Sequence, residues 1–255
     1  MKIDFRKANL ITGWIVCIIA CIVYLMTREA TVSFWDCGEF VPSAYKLEIS
    51  HPPGAPLFIL LGRLFIILLH STPQNAAYHM NALASISSGL TIMFLFWTIT
   101  HLARRMVEKR GEELTEGKKI LILGAGAVGA LAFTFSDSFW FSAVESIVFG
   151  VSPLFIAMAF WAILKWEEVA DQPYADRWII LIAYIIGLSI GVHLLSILSI
   201  PAVVMTYYYR KFKPNVKKTI LAFLIACALT GFVQIVLIQD TVKLIGAFDL
   251  LFVNG

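Results

Sequence analysis

The chain has 255 residues, of which 59% are hydrophobic and 15% are charged. Soluble domains carry about 25% charged and roughly 45–50% apolar residues, so this composition leaves too little polar surface to cover a water-soluble globule. The formal net charge of +3 is small, and the basic residues form no pattern that favours a nucleic-acid partner. The chain is therefore predicted to be an all-α, polytopic membrane protein in contact with membrane lipids.

Apolar runs recur along the chain. The first, at about residues 8–26, is uncharged over about the ~20 residues that span a bilayer, and no small-residue cleavage site follows it, so we expect a retained membrane helix. Further long runs lie at about 80–101, 120–136, 146–164, 178–209 and 219–238. A shorter run at about 57–69 contains Arg63 and follows three prolines, which is typical of an interfacial helix.

The basic residues predict the topology, because cytoplasmic loops are enriched in Lys and Arg. If the 57–69 run does not cross, and if the 178–209 run turns near Gly187, Gly191 and His193, 16 of the 20 basic residues fall on the inside. These are Lys2, Arg6, Lys7, Arg104, Arg105, Lys109, Arg110, Lys118, Lys119, Lys165, Arg177, Arg210, Lys211, Lys213, Lys217 and Lys218. The result is seven transmembrane helices, with juxtamembrane helices in an outer loop at about 27–79.

That outer loop contains the candidate site. Asp36 and Glu39 lie three residues apart among aromatic neighbours, a spacing that puts both carboxylates on one face of a helix. Ionisable groups near lipid are costly unless they are solvated or paired, so their concentration here is a functional hypothesis. The structural alternative is that the two residues cap and anchor an interfacial helix. The other ionisable residues assigned to this side include Glu48, His51, Arg63, His70, His79, Asp137, Glu145 and His193.

Other motifs do not fit their usual context. The segment Gly124-Ala125-Gly126-Ala127-Val128-Gly129 resembles a dinucleotide fingerprint, but it lies inside an apolar run with no strand before it. Its small residues instead predict close helix packing. The histidines lack the spacing of a zinc site, and Asp36, Glu39 and His51 would at most hold a hard divalent ion with waters, so no metal site is predicted.

Five segments, in order, carry a resemblance to one family. They are Asp36-Cys37-Gly38-Glu39, His51-Pro52-Pro53-Gly54-Ala55-Pro56-Leu57, Asn81-Ala82-Leu83-Ala84-Ser85, the segment from Ser138 to Glu145, and the segment from Gly187 to Leu195. Over essentially the whole chain, they resemble the bacterial membrane-protein family of unknown function called DUF2723. That family includes eukaryotic transmembrane protein 260, a protein O-mannosyltransferase, and it belongs more broadly with the C-type glycosyltransferases.

The resemblance implies a C-type glycosyltransferase-like module over residues 1–255, with the outer loop at 27–79 as its catalytic part. It implies a polyprenyl-phosphate sugar as donor and Ser or Thr of an exported protein as acceptor, with the active site on the periplasmic side of a bacterial inner membrane. Asp36 matches the catalytic acidic residue, and His51 matches the first residue of a segment near the donor phosphate. Glu39 occupies a less regular position, and Glu145 and His193 match recurrent polar positions without a transferable role.

The chemistry explains the residue types. Transfer to a hydroxyl requires that the acceptor proton be removed while the phosphate leaves, so Asp36 is expected to be the general base, with Glu39 as the second candidate. His51 or Arg63 would stabilise the negative charge of the departing phosphate. A direct inverting displacement needs one carboxylate, unlike glycoside hydrolysis, which uses two. Glu145 and His193 are expected to share a cavity with these residues on the outer face.

A non-catalytic role stays open at this stage. The same fold would serve as a lipid-phosphate-binding scaffold or as a transporter. A transporter would place ionisable groups near the middle of the membrane on broken, repeated helices, whereas the helix centres here are almost free of charge. The segment 248–255 resembles a stretch after which longer relatives continue, so we expect either a short member of the family or a truncated one.

Overall fold

The computed structural model describes residues 3–108 and 114–254, so Lys2, Lys109 and Arg110, which the sequence assigns to the inside, lie outside the described residues. Within the described ranges, all regular secondary structure is helical. The helices are α1 (Phe5–Thr27), α2 (Cys37–Lys46), α3 (Pro56–Leu68), α4 (Ala76–Val107), α5 (Glu116–Thr134), α6 (Asp137–Ala143), α7 (Val148–Val169), α8 (Arg177–Ile190), a 3-10 helix (Leu194–Ser199), α9 (Ile200–Lys211), α10 (Val216–Phe232), a π-helical stretch (Val233–Asp240) and α11 (Thr241–Asn254).

Among the described residues, five helical segments are long and apolar enough to cross a membrane. They are α1, α4, α5, α7 and the continuous segment Val216–Val253. The chain is thus a polytopic membrane protein, as its composition predicts. By this criterion the count is five rather than the predicted seven, because α8 and α9 have 14 and 12 residues and each is shorter than the ~20 needed to span a bilayer.

The 178–209 run does form a helical hairpin. The α8 helix ends at Ile190, a turn follows at Gly191, and the 3-10 helix and α9 then run back. Near the end of α9, Arg210 forms an ion pair with Asp171, which lies in the connection between α7 and α8. The hairpin therefore starts and finishes at the same end of the bundle, which is the path that the sequence predicts.

Two ends of the bundle can be told apart by their contacts. At the first, which we call the basic end, Arg105 of α4 pairs with Glu167 of α7. At the opposite end, which we call the loop end, the Tyr24 hydroxyl of α1 donates to the Thr134 carbonyl of α5 at 2.9 Å. The connection after α1 is also held there, because the Glu29 N–H donates to the carbonyl of Val144 at 3.0 Å.

The short helices α2 and α3 lie together at the loop end. The first turn of α3 is held by the N–H of Leu57, which donates to the Gly191 carbonyl at 2.7 Å. Just after α3, Ser71 hydrogen-bonds His79 of α4 at 2.7 Å. Both ends of α3 therefore meet the loop end, and the 57–69 run does not cross the bundle. Its apolar side packs inward, with Phe58 fully buried.

Two local differences from the sequence expectations stand out. The segment 136–145, which lies between two of the apolar runs, contains the helix α6, whose Trp140 indole donates to the Thr27 hydroxyl of α1 at 2.9 Å. The last run continues as helix to Asn254 rather than ending near residue 238. The glycine-rich segment packs closely at two of its glycines, since an added Cβ would lie 2.5 Å from the methyl group of Thr100 at Gly126 and 2.9 Å from Ile99 at Gly129, whereas at Gly124 it would meet no atom within 4 Å.

Candidate functional site

Asp36 sits at the N-terminus of α2. Its backbone carbonyl accepts the N–H groups of Glu39 at 3.0 Å and Phe40 at 2.9 Å, which starts the helix. Its side chain makes no capping hydrogen bond, although Asp is among the residues that most often cap through the carboxylate. The helix therefore does not use this carboxylate, which argues against the capping role considered above.

A cavity of about 260 Å³ opens beside Asp36 at the loop end. It is lined by Trp35, Asp36, Phe141, Ser142, Glu145, Ile147 and Phe149. Asp36 and Glu145 come from segments more than a hundred residues apart, and the fold places both on one cavity. His193, which was expected on the same cavity, is not among its lining residues, but its ring packs against the lining residue Phe149 with 4.9 Å between ring centroids.

Glu145 is the most buried ionisable group of this cavity. Glu145 is 2% exposed, and its Oε1 atom has no hydrogen-bond partner in the described parts of the chain. Burial raises the pKa of Glu145, the nearby Ser33 hydroxyl offsets part of that rise, and the negative charge of Glu29 adds to it. Buried polar atoms are nearly always paired, so a free carboxyl oxygen here needs an explanation.

Glu39 pairs with His51 rather than with Asp36. The Glu39 Oε2 atom lies 2.7 Å from the His51 Nδ1 atom, and Oε1 accepts the backbone N–H of His51. This hydrogen bond lowers the pKa of Glu39 and raises the pKa of His51. Glu39 is thus bound to His51, whereas Asp36 lines the cavity and its negative charge adds to the rise in the pKa of His51.

Arg63 lies apart from His51. Its guanidinium donates to the backbone carbonyl of Tyr45, near the C-terminal end of α2. Six residues of helix separate Glu39 from Tyr45, which corresponds to about 9 Å along the axis. The structure thus brings His51 to the first turn of α2 and Arg63 to the last, and the two predicted phosphate-binding residues are not neighbours.

In the sequence, Asn81 stands out only as part of a family motif, but the structure gives it a central position. Asn81 is 1% exposed, and its amide donates to the carbonyls of Glu29 at 2.8 Å and Thr31 at 3.2 Å. Its Oδ1 atom accepts the hydroxyl of Ser146. We call Asn81 and these partners the Asn81 clamp, and it joins the segment before Asp36 to the segment that carries Glu145.

The start of α4 supports the same region through two serines. Ser85 donates to the Ala143 carbonyl and Ser88 to the Gly150 carbonyl, each at 3.0 Å. Gly150 permits this approach, since a Cβ there would lie 2.6 Å from the Ser142 carbonyl and 2.8 Å from Ala84. The sequence contains one indication of this role, because polar residues such as Ser85 and Ser88 near the end of an apolar helix must find hydrogen-bond partners in the bundle.

The described residues contain no cluster of side chains that is typical of a metal site. Within residues 3–108 and 114–254, no three or more His, Cys, Asp or Glu side chains come together as metal ligands would. Asp36, Glu39 and His51, considered above for a hard divalent ion, divide between the cavity and the Glu39–His51 pair.

The fold and the cavity together define the class of this protein: an all-helical, polytopic membrane protein with a cavity that carries two carboxyl groups at one end of the bundle. A family model described as the N-terminal domain of protein O-mannosyl-transferase TMEM260 matches residues 36–216. The chain belongs to this family. The match begins at Asp36 and includes His51, Arg63, Glu145 and His193.

Two named relatives resemble part of the chain. Protein O-mannosyl-transferase tmem260 of Dictyostelium discoideum is 27% identical over 153 residues, which cover 60% of this chain and 17% of that protein. Protein O-mannosyl-transferase TMEM260 of Mus musculus is 27% identical over 171 residues, which cover 66% of this chain and 21% of the mouse protein. The chain thus matches about a fifth of the length of these relatives. No solved structure matches it.

Proposed function

We propose that the protein is a membrane glycosyltransferase that moves a sugar from a polyprenyl-phosphate donor to a Ser or Thr hydroxyl of an exported protein. Membership of the TMEM260 family and the names of both relatives support the transferase activity and make mannose the first sugar to test. The sequence motifs support placement in the DUF2723 family and the C-type glycosyltransferases. The observation that carries the proposal is the uncapped Asp36 carboxylate on a cavity at the loop end.

The proposed reaction is a single displacement at the anomeric carbon of the sugar. The acceptor oxygen forms a bond to that carbon from the side opposite the phosphate, and the bond from the carbon to the phosphate oxygen breaks. Polyprenyl phosphate leaves with the electron pair, while Asp36 takes the hydroxyl proton. A carboxylate placed on the cavity and not bound by the helix is suited to accept that proton.

His51 is proposed to bind the donor phosphate. Glu39 occupies its Nδ1 atom and favours the protonated ring, so the Nε2 N–H is left to donate to an anion. Positive charge aimed at a leaving phosphate stabilises the transition state, in which negative charge develops on that group. We assign Arg63 to holding α3 against α2, because its guanidinium is bound to the carbonyl of Tyr45.

The proposed orientation places the loop end on the outside of the membrane, which is the periplasmic side in a bacterium. In this arrangement α8 and the segment 194–211 complete seven crossings, with the short α8 ending below the outer surface against α3. Ion pairs of Arg104, Arg105 and Arg210 at the basic end support this orientation, since basic residues favour the cytoplasmic side. A donor lipid in the bilayer would then present its head group to Asp36.

The test is transfer by the purified full-length protein from polyprenyl-phosphate mannose to Ser/Thr peptides, read by mass spectrometry of the peptide. We expect addition of one hexose to a hydroxyl residue, and its loss in the Asp36→Asn protein. Donors that carry other sugars, presented in parallel, identify the preferred one. Tight donor binding without transfer to any acceptor would overturn the enzymatic proposal in favour of a lipid-phosphate-binding scaffold.

A further inference from the structure

The cavity at the loop end contains one polar group that the proposed reaction does not use. Glu145 is 2% exposed, lines the same cavity as Asp36, and has a carboxyl oxygen without a partner in the described residues. We propose that this cavity holds the sugar ring of the donor and that the free Glu145 oxygen binds one hydroxyl of that ring. The inference rests on the proposed function and assigns the sugar-binding part of the site.

The lining of the cavity has the chemistry that a sugar ring requires. Trp35, Phe141 and Phe149 supply aromatic surface, and Asp36 and Glu145 supply carboxyl groups. A pyranose ring has apolar C–H faces and a rim of hydroxyl groups, so aromatic surface covers the faces while carboxyl oxygens pair with the rim. Ligand sites are commonly built in this way, from apolar walls and a few placed polar groups.

A purely structural role does not account for Glu145. Burying a carboxyl group is costly unless its oxygens are hydrogen-bonded. Nearby, the Asn81 clamp and the bond from Ser85 to the Ala143 carbonyl pair several of the buried polar groups around this segment, while the Ser33 Oγ atom, like Oε1 of Glu145, has no partner in the described residues. The same network holds the backbone on both sides of Glu145 and yet leaves Oε1 free, as expected for a group whose partner is a ligand.

The size of the cavity suits one ring. Its volume of about 260 Å³ lies just below the ~300–1,000 Å³ typical of ligand clefts, which favours a single monosaccharide over an oligosaccharide. Asp36 lies on the same cavity as Glu145. A ring held there would have its reacting carbon near the proposed base and a hydroxyl on Glu145, with the lipid outside.

The test compares two enzymes against a set of donors. Polyprenyl-phosphate mannose and its 2-, 3-, 4- and 6-deoxy analogues are each assayed with the wild-type protein and with Glu145→Ala. In the wild type, one deoxy donor should lose about 10–100-fold in kcat/KM, because a buried carboxyl is left unpaired. With Glu145→Ala, that deoxy donor and the parent donor should have equal kcat/KM. The other deoxy donors should show the same ratio of kcat/KM to the parent donor with Glu145→Ala as with the wild type.

Two further variants control the comparison. Glu145→Gln keeps the shape of the side chain and one acceptor oxygen, so it should retain most of the discrimination even if Glu145→Ala fails to fold. Glu48→Ala removes an exposed carboxylate from the connection between α2 and α3, which pairs only with Lys46 among the described residues, and should leave the donor pattern unchanged.

The outcomes separate this inference from the proposed function. If the wild type transfers sugar but Glu145→Ala changes the relative kcat/KM of no deoxy donor, the proposed sugar site is overturned. The proposed transferase activity is then still supported. No transfer from any donor would overturn the transferase, and the same donor comparison would then be read in binding affinity. Equal affinity of the wild type for every deoxy donor would overturn the sugar site in that case.

Discussion

The carboxylate of Glu39 and the imidazole of His51 are joined at 2.7 Å between Oε2 and Nδ1, and the same carboxylate accepts the backbone N–H of His51. This double contact ties the first turn of α2 to the segment that leads into α3. It also leaves Asp36 as the acidic residue of the motif that faces the cavity. Two carboxylates three residues apart therefore have different surroundings and separate proposed roles.

The first prediction is a change in pH dependence when Glu39 is replaced by Gln. Glu39 raises the pKa of His51 above its ordinary value of 6.5, so the protonated ring persists at higher pH and is lost as the pH rises through the raised pKa. Glu39→Gln removes the charge that favours this cation. We expect the alkaline decline of donor binding to move to lower pH, measured as donor affinity between about pH 5 and pH 9.

The same pair predicts the sign of a stability effect. The pKa of Glu39 is lowered from 4.5 and that of His51 is raised from 6.5. The pair therefore stabilises the fold fully between those ordinary values, less as the pH falls through the lowered pKa of Glu39, and less as it rises through the raised pKa of His51. For the donor-binding prediction, Glu48→Gln is the control. Identical pH profiles of donor affinity for the wild type and Glu39→Gln would contradict that prediction.

The second prediction concerns the Asn81 clamp. Asn81→Ala leaves the carbonyls of Glu29 and Thr31 and the hydroxyl of Ser146 without their partner. Each buried polar group left unpaired costs about 1–3 kcal/mol, so the melting temperature in detergent should fall, and transfer should fall with it because the cavity loses its support. Ser146→Ala removes one bond of the clamp and should cost less.

Ser85→Ala provides a matched comparison for the clamp, since it also deletes a buried polar group of α4 but contacts Ala143 rather than the segment before Asp36. We expect Asn81→Ala to reduce transfer more than Ser85→Ala when the two are compared at equal thermal stability. Equal activity of the two variants under that condition would show that the clamp acts through stability alone.

Much of the bundle was predictable because lipid imposes a simple rule on sequence. The apolar runs at 8–26, 80–101, 120–136 and 146–164 correspond to α1, α4, α5 and α7, since a membrane helix must be continuously apolar. The hairpin after α7 followed from the balance of basic residues and from Gly191. The number of spans counted by length differs from the predicted seven, because α8 and α9 are shorter than a membrane-spanning helix.

The candidate site was predictable in its residues but not in its pairings. The motif directs attention to Asp36 and Glu39, but helical periodicity cannot show that the chain after α2 returns His51 to Glu39. The partner of Arg63 could not be predicted for the same reason, since it is a backbone carbonyl rather than a charged side chain. Asn81 was missed because its partners come from two distant segments, which only the packed bundle brings together.

The third prediction tests the path of α3 by labelling with an impermeant thiol reagent in intact cells. The four cysteines, Cys17, Cys21, Cys37 and Cys227, are first replaced. Single Glu48→Cys and Gln74→Cys proteins, on either side of α3, should both be labelled, whereas Lys213→Cys at the basic end should be labelled only after permeabilisation. Protection at position 74 with labelling at position 48 would mean that α3 crosses the membrane.

The final prediction assigns the base. Asp36→Asn keeps the size of the side chain but removes its ability to take a proton, so the rate of transfer should fall by about 10²–10⁴-fold with donor affinity unchanged. His51→Ala should instead weaken donor affinity, because it removes a proposed phosphate partner. The measurements are single-turnover transfer from polyprenyl-phosphate mannose and donor binding to the same preparations.

Glu39→Gln distinguishes a mechanism that uses one carboxylate as the base from a mechanism that needs both carboxylates. Because Glu39 is bound to His51 and Asp36 lies on the cavity, Glu39→Gln should retain transfer at low pH, where His51 is protonated without its help. Asp36→Asn should remain impaired at every pH, since its lost proton acceptor is not restored by acid. Undiminished turnover in Asp36→Asn, with transfer abolished in Glu39→Gln at all pH values, would move the role of base from Asp36 to Glu39.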